Sequence, residues 1–175
     1  MTEDLELIPR ESIDELRRYL DTASRSLLVG SESEAHRRFF IVNVAGETPL
    51  AIGLCASGLS PRARVLWQAK LGRALIGSDC TVTAVDVRLG KIITGIQLDG
   101  AFFDFIMPDE NGAAVVHELG AMGVGFDGSV RWTVSSEDVV ENFCVGPDRV
   151  LELGVADAGR ALRVSLADGN LLETK

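Results

Sequence analysis

Four residues of this chain carry side chains that could bind a ligand or move a proton: Asp104, His117, Glu118 and Trp132. His117 stands next to Glu118, and an imidazole beside a carboxylate is the pair most typical of acid–base chemistry. Adjacent residues of a strand point to opposite faces, so the two cannot act on one proton unless a bulge intervenes. We therefore expect His117 to be a hydrogen-bonded histidine of a strand rather than a catalytic base.

Asp104 and Trp132 lie in apolar surroundings. Asp104 is the polar residue inside the run AFFDFIM (residues 101–107), where a buried carboxylate needs a positive partner. We favour an internal ion pair with an arginine, and a ligand site is the alternative. Trp132 and Trp67 could line a groove for a peptide or a carbohydrate. Each lies in an alternating apolar run, however, which favours a side chain of the core.

Metal and cofactor chemistry have little support in the sequence. The two histidines, His36 and His117, lack the paired spacing that a zinc site requires. Residues 109–112 (DENG) are rich in oxygen ligands but lack the distant glutamate of a calcium loop, and they predict a hairpin turn. No nucleophile elbow, phosphate-binding loop or dinucleotide fingerprint occurs. We expect no catalytic residue, no metal site and no cofactor.

Composition narrows the class of partner. The 175 residues carry a formal net charge of −9, which disfavours nucleic acid and anionic membranes but allows a basic protein. The acidic start MTEDLELIPRES resembles no secretion signal, and no apolar run has the length of a membrane span. Cys55, Cys80 and Cys144 lack CxxC spacing, which predicts reduced, buried thiols rather than a disulfide or a metal site. We therefore expect a cytoplasmic protein.

The elements that must position these residues are mostly strands. One amphipathic helix is predicted from Pro9 to Leu27 (residues 9–27), with Ile13, Leu16 and Leu20 packed on a sheet. Residues 37–175 alternate as strands do, and three similar segments have turn glycines 38 and then 41 residues apart, at positions 90, 128 and 169. We divide this body into units near residues 73–107, 113–145 and 150–173, within a single domain of residues 1–175.

Two of these strands allow a prediction of which side chains are buried. In the last unit Leu162, Val164 and Leu166 should share a buried face, with Arg163 and Ser165 on the other. In the middle unit Val130, Trp132 and Val134 should likewise share one face, and the ring of Trp132 should be mostly hidden. Asp86, Asp127 and Asp168 recur at the turns of the three units, where they stabilise hairpins rather than converge on a site.

The hairpins VDVRLGKII, GFDGSVRW and SLADGNLLE resemble the inner hairpins of propeller blades, particularly those of the quinoprotein-like type. The resemblance covers residues 75–175, and Trp132 stands where such blades often have a tryptophan. Three units do not close a propeller, which needs about four to eight blades. We therefore expect a mainly β sandwich or partly open barrel of consecutive antiparallel hairpins, with an incomplete propeller of three to four blades as the alternative. Nothing carries over as a quinone or calcium site.

The sequence favours a non-enzymatic protein-binding or interaction module, of the kind that includes immunity proteins, which neutralise basic toxins by charge complementarity. The alternative is a small-ligand-binding protein or an enzyme with a pocket near His117, Glu118 and Asp104. An acidic and fairly flat face would favour the first class. A deep pocket lined by those three residues would favour the second. The sequence predicts no oligomeric state.

Overall fold

The computed structural model describes residues 2–30, 38–45, 49–156 and 161–172, which form one α-helix and seventeen strands. The strands are β1 (Thr2–Leu5), β2 (Ile8–Arg10), β3 (Ser26–Val29), β4 (Arg38–Val44), β5 (Leu50–Ala56), β6 (Arg64–Gln68), β7 (Arg73–Ser78), β8 (Thr81–Asp86), β9 (Lys91–Gln97), β10 (Phe102–Ile106), β11 (Gly112–His117), β12 (Gly120–Gly125), β13 (Val130–Ser135), β14 (Val140–Val145), β15 (Val150–Val155), β16 (Leu162–Ser165) and β17 (Leu171–Leu172). The helix α1 spans Ile13–Thr22. The mainly β class is confirmed.

The strands form four separate sheets, none of which closes into a barrel. The first sheet has the order β2-β4-β5-β3, the second β1-β6-β7-β8-β9, the third β10-β11-β12-β13 and the fourth β14-β15-β16-β17. Neighbouring strands are antiparallel, except that β3 runs parallel to β5. A four-stranded meander is the unit of a propeller blade, so the architecture is that of the incomplete propeller.

The sheets are stacked face to face in chain order, and this explains why many strands are apolar on both faces. In β11, Ala113 and Val115 pack in the core shared with the second sheet. Ala114 and Val116 pack in the core shared with the fourth sheet. Because successive side chains of a strand alternate between faces, a strand buried between two sheets must be apolar throughout. The run GAAVVH has this composition up to its last residue, His117.

The stack has two ends, which hold different connections. The hairpin end holds the turns β6–β7, β8–β9, β10–β11, β12–β13, β14–β15 and β16–β17. The linker end holds the turns β7–β8 and β11–β12 and the links between sheets at residues 57–63, 98–101 and 136–139. Hydrogen bonds tie neighbouring connections together at each end, such as Phe102 N–H to Asp79 O (2.5 Å) at the linker end and Val87 N–H to Gly72 O (2.9 Å) at the hairpin end.

The helix is shorter than predicted. It begins after Ser12, whose hydroxyl accepts a hydrogen bond from Glu15 N–H (3.2 Å), and it ends before Ala23. A serine followed three residues later by glutamate is a strong capping signal, and it places the start beyond Pro9. Pro9 lies in β2 and Leu27 in β3, so the predicted helix of residues 9–27 was too long at both ends.

The predicted contact face of the helix is confirmed. Leu16 and Leu20 are buried and Ile13 is half-buried, and all three pack on the outer face of the first sheet. Gly53 in β5 permits the close approach, since a Cβ atom there would lie 2.7 Å from Leu20 Cδ1. Burial of such leucines contributes about 1.5–3 kcal/mol each. The helix thereby covers the one face of the first sheet that the second sheet leaves open.

The predicted units are out of phase with the sheets by one strand. The sheets group β6–β9, β10–β13 and β14–β17, whereas the units 73–107, 113–145 and 150–173 begin at the second strand of each sheet. The links at residues 98–101 and 136–139 are as short as the hairpin turns, so their sequence does not show that they pass from one sheet to the next. The self-similar hairpins are therefore the last two strands of the second, third and fourth sheets: β8–β9, β12–β13 and β16–β17.

A β-bulge corrects the predicted face of Val130. Trp132 lies opposite Gly123, but the next pair is Val130 with Val124, so that Arg131 is an extra residue. The bulge reverses the alternation. Val130 consequently leaves the face of Trp132 and is 48% exposed. The β8–β9 hairpin has its bulge at the corresponding place, between the pairs of Ala84 and Val85.

The register predicted for the last unit is confirmed. Val164 and Leu166 are buried in the core between the third and fourth sheets, and Leu162 packs against the same core while half-buried. Arg163 lies on the opposite face, where its Nε donates to Glu152 Oε1 at 3.2 Å. The outer face of the fourth sheet thus carries polar side chains.

Candidate functional site

Asp104 forms the internal ion pair that its apolar surroundings predict. It is 7% exposed in β10, and its two carboxylate oxygens accept hydrogen bonds from Arg62 and Arg64. Arg64 also donates to Asp4 in β1. Desolvation acts to lower the pKa of Arg64, but the bonds from Asp4 and Asp104 outweigh it and raise that pKa. The network joins β1, β6 and β10 and fixes the approach of the third sheet to the second.

His117 is buried as expected, but the expected hydrogen bond is absent. The side chain is fully buried at the end of β11, and neither ring nitrogen has a partner in the part of the chain that the structure describes. Burial lowers the pKa of His117, and the charge of Asp99 acts weakly against that shift. The imidazole is therefore enclosed away from solvent, and burial favours its neutral form.

Glu118 lies in the turn β11–β12 and binds the link between the second and third sheets. Its Oε2 accepts a hydrogen bond from Ala101 N–H (3.1 Å), and its own N–H donates to Ala101 O (2.9 Å). Asp79 occupies the equivalent turn of the second sheet, and its carboxylate accepts three backbone N–H groups from residues 57–59. Asp79 was not among the residues predicted from the sequence, because only the fold shows that this turn meets a link.

Trp132 packs between two glycines of different sheets. A Cβ atom on Gly123 would lie 2.4 Å from the indole Nε1, and one on Gly169 would lie 2.7 Å from Trp132 Cγ. Gly169 belongs to the repeated turn of the fourth sheet and has φ +75°. In the same way Gly128 meets Thr94 of the preceding sheet, since its Cβ would lie 2.2 Å from Thr94 Cγ2. The repeated glycines are thus required by contacts between sheets as well as by turn geometry.

The half-buried state of Trp132 agrees only in part with the prediction of a mostly hidden ring.

The turn aspartates each accept a hydrogen bond from their own turn: Leu89 N–H to Asp86 (2.8 Å), Ser129 N–H to Asp127 (3.0 Å) and Asn170 N–H to Asp168 (3.2 Å). The hydroxyl of Ser129 and its N–H hold the pKa of Asp127 below the usual value. These carboxylates are spread over three sheets and stabilise hairpins, as the sequence indicated.

Three crevices formed by described residues lie away from Asp104, His117 and Glu118. One of about 120 Å³ lies beside Trp132, between the third and fourth sheets at the hairpin end. Another of about 420 Å³ lies between the end of α1 and the strands β4 and β5. The last, of about 810 Å³, is an open groove along the start of α1. None of the three brings the predicted acid–base residues together.

The linker end is acidic. Its described turns and links, at residues 57–63, 79–80, 98–101, 118–119 and 136–139, hold one basic residue, Arg62, which pairs with Asp104. They hold five acidic residues: Asp79, Asp99, Glu118, Glu137 and Asp138. Asp99 and Glu137 are exposed. At the hairpin end, by contrast, the turns mix acidic residues with Lys70, Arg88 and Arg149. The charge of the protein is therefore distributed unevenly between the two ends of the stack.

The cysteines do not form a site. No disulfide joins them, and no set of three metal-ligating side chains converges among residues 2–30, 38–45, 49–156 and 161–172. Cys55 is buried and Cys80 half-buried, but Cys144 is exposed, so the prediction of three buried thiols was wrong there. Cys144 lies on β14, the edge strand of the fourth sheet. Burial, and then the charges of Asp79 and Glu118, raise the pKa of Cys80.

Comparison with known proteins finds structural likeness at low sequence identity. No family model matches the sequence, and no curated protein matches it. Solved structures that resemble this one include BamB from Moraxella catarrhalis (15% identity, TM-score 0.48) and a protein of unknown function from Bacteroides caccae (11%, 0.39). Another is BBS1N in complex with ARL6DN (10%, 0.46).

These matches cover 99%, 85% and 94% of this chain, respectively, but 51%, 59% and 49% of the other chains. The chain thus spans between about half and three-fifths of the length of the structures that it matches. The weak likeness to propeller blades seen in residues 75–175 is confirmed by the blade-like sheets. In the described ranges, the one α-helix falls short of the length and apolar character needed to cross a membrane.

Proposed function

We propose that this protein is a non-enzymatic protein-binding module of the cytoplasm, and that the acidic linker end binds a basic protein partner. The observation that supports this function is the excess of acidic residues in the described turns and links of that end, five against the single arginine Arg62, which is paired with Asp104. A surface of one sign attracts an opposite surface over about a Debye length and selects against partners of like charge. An immunity protein that neutralises a basic toxin is one example of this class.

The engagement of the candidate catalytic residues supports binding over catalysis. Asp104 is occupied by Arg62 and Arg64, and Glu118 holds the link at Ala101. His117 is enclosed in the core. A catalytic acid or base must reach the proton that it transfers. These residues instead join strands and sheets, and the alternative of a pocket near them gains no support from the geometry.

The experiment compares variants in which surface carboxylates are neutralised with the wild-type protein. The double variant Asp99→Asn/Glu137→Gln removes two exposed charges from the linker end, and neither side chain makes a hydrogen bond to another described residue. The matched control Glu110→Gln/Asp148→Asn removes two exposed charges from the hairpin end. A partner captured from the native host by the wild-type protein is purified, and its Kd for each protein is measured by calorimetry at low and high salt.

We expect the linker-end variant to bind about tenfold more weakly and to lose part of the salt dependence, because exposed charge pairs contribute about 0.2–1 kcal/mol each. The control should keep the wild-type Kd. Equal weakening in both variants, or a Kd independent of salt, would contradict the proposed surface. Turnover of a small substrate by the purified protein would contradict the non-enzymatic class.

A further inference from the structure

The crevice beside Trp132 has the size and the walls of a small binding site. Its lining includes Met107, which follows β10, Leu166, which follows β16, and Trp132 of β13. Its volume of about 120 Å³ suits one branched aliphatic group or one six-membered ring, since an engineered cavity of about 150 Å³ binds benzene. Gly123 and Gly169 both approach Trp132 closely, so the side chain is held between two strand and turn backbones at the edge of this space.

Two arginines line this crevice and give it positive charge. Arg149 is exposed, and its guanidinium makes no hydrogen bond or ion pair with any other described side chain or backbone group. Arg131 donates from Nη2 to Asn111 O at 2.6 Å, which leaves its other N–H groups available. Asp109 also lines the crevice, but its Oδ1 already accepts the N–H groups of Asn111 (2.7 Å) and Gly112 (3.0 Å). The lining side chains therefore carry a net charge of +1, within a protein of net charge −9.

Strained backbone is concentrated at the same place. The described residues include four non-glycine residues with positive φ, and two of them, Met107 (46°) and Arg149 (58°), line this crevice. A third, Asp148 (60°), directly precedes Arg149 in the chain. A left-handed conformation costs such residues about 1–3 kcal/mol each, and folds keep it mainly where a side chain must be held in one position. Here it occurs at two residues, Met107 and Arg149, that line the same crevice.

We propose that this crevice binds a compact organic carboxylate, with the carboxylate on Arg149 and Arg131 and the apolar body against Met107, Leu166 and Trp132. A guanidinium presents two parallel N–H donors that match a carboxylate. The carboxylate could belong to a free acid or to the C-terminal residue of a peptide, and both present the same group. This site lies at the hairpin end and does not rest on the proposed acidic surface.

The test observes the two tryptophan indole N–H resonances by NMR in the full chain. The resonance of Trp132 is assigned with Trp132→Phe, and that of Trp67 serves as an internal reference. The probes are benzoate and isovalerate as free acids and an N-acetylated dipeptide that ends in leucine. Benzamide, isovaleramide and the C-terminally amidated dipeptide are their neutral counterparts, and sodium sulfate controls for general anion binding.

We expect a saturable shift of the Trp132 resonance with a Kd of about 1 mM or tighter, no shift for Trp67 and no binding of the amides. Arg149→Gln should weaken the Kd by at least about tenfold. The matched variant Lys70→Gln, which removes a charge from another turn of the hairpin end, should leave it unchanged. Tighter binding of the free acids identifies a small metabolite as the source, and tighter binding of the dipeptide identifies a chain terminus.

Four results would overturn the proposal: no saturable shift up to about 10 mM, equal binding of the amides, an equal effect of sulfate, or an unchanged Kd in Arg149→Gln. Each of these results can be measured on a folded protein, because Arg149 is exposed and its substitution removes no core contact. Loss of partner binding by the linker-end variant has no bearing on these outcomes.

Discussion

The contact of Trp132 with Gly123 predicts that a single methyl group will destabilise the protein, and that removing the indole will reverse the sign. In Gly123→Ala the new Cβ would lie 2.4 Å from the indole Nε1 and 2.7 Å from Cε2, so the ring must leave its position. Complete removal of a buried tryptophan costs about 3–5 kcal/mol. Because Trp132 is half-buried, we expect Trp132→Ala to cost about 2–3 kcal/mol and Gly123→Ala about 2 kcal/mol.

In the background of Trp132→Ala the same methyl meets no indole, and replacing a strand glycine with alanine should then stabilise the fold by about 0.5–1 kcal/mol. The double-mutant cycle should therefore give a coupling energy of about 2–3 kcal/mol. Urea denaturation followed by circular dichroism measures the free energy of unfolding of the four proteins. Gly95→Ala is the matched control, since its Cβ would meet only Thr81 Cγ2 at 3.8 Å.

Additivity within about 0.5 kcal/mol would refute the packing of Trp132 on Gly123. The packing would also be refuted if Gly95→Ala showed the coupling energy with Trp132→Ala that is expected only of Gly123→Ala. A Trp132→Ala protein with wild-type stability that fails to bind a ligand or partner would refute the structural role of this side chain and assign it to recognition.

Three further predictions concern buried charge and thiol access. Burial holds the pKa of His117 below its unfolded value of about 6.5, so the stability that depends on the neutral imidazole is fully present above that pH and falls as the pH drops toward the folded pKa. The free energy of unfolding should therefore change less between pH 7.5 and pH 5 in His117→Leu than in the wild-type protein. An equal change in both proteins would argue against a buried neutral imidazole. Arg64→Met should lower the free energy of unfolding, measured by urea denaturation, by about 3 kcal/mol, because Asp104 loses one of its partners. The double variant Arg64→Met/Asp104→Leu should recover most of that stability, and no recovery would contradict the ion pair. A thiol reagent should modify Cys144 rapidly in the native protein and Cys55 only after unfolding, and fast native labelling of Cys55 would contradict its burial.

Local patterns in the sequence predicted the elements well, because they depend on residues close together in the chain. The alternation of Leu162, Val164 and Leu166 gave the correct buried face, and the apolar spacing of Ile13 and Leu16 gave the correct face of the helix. The recurring glycine turns indicated repeated hairpins, and those hairpins occupy equivalent places in the second, third and fourth sheets. Each of these signals has a period set by strand or helix geometry.

The errors concern features that depend on distant parts of the chain. A short link between sheets has the same composition as a hairpin turn, so each predicted unit begins one strand later than the sheet to which it corresponds. The bulge at Arg131 depends on how β13 pairs with β12, and it moved Val130 to the other face. The lack of a hydrogen-bond partner for His117 among the described residues and the contact of Asp79 with residues 57–59 depend on how neighbouring connections meet. The candidate site residues could be chosen by type, but whether they converge is decided by the stacking of the sheets.

Hydrogen exchange of the protein alone and in complex with its purified partner tests the central claim most directly. If the acidic linker end is the binding surface, amide protection should increase in the described linker-end links, at residues 98–101 and 136–139, and the hairpin-end turns at residues 87–90 and 126–129 should exchange at unchanged rates. Protection confined to the hairpin-end turns, with unchanged exchange at residues 98–101 and 136–139, would contradict the account.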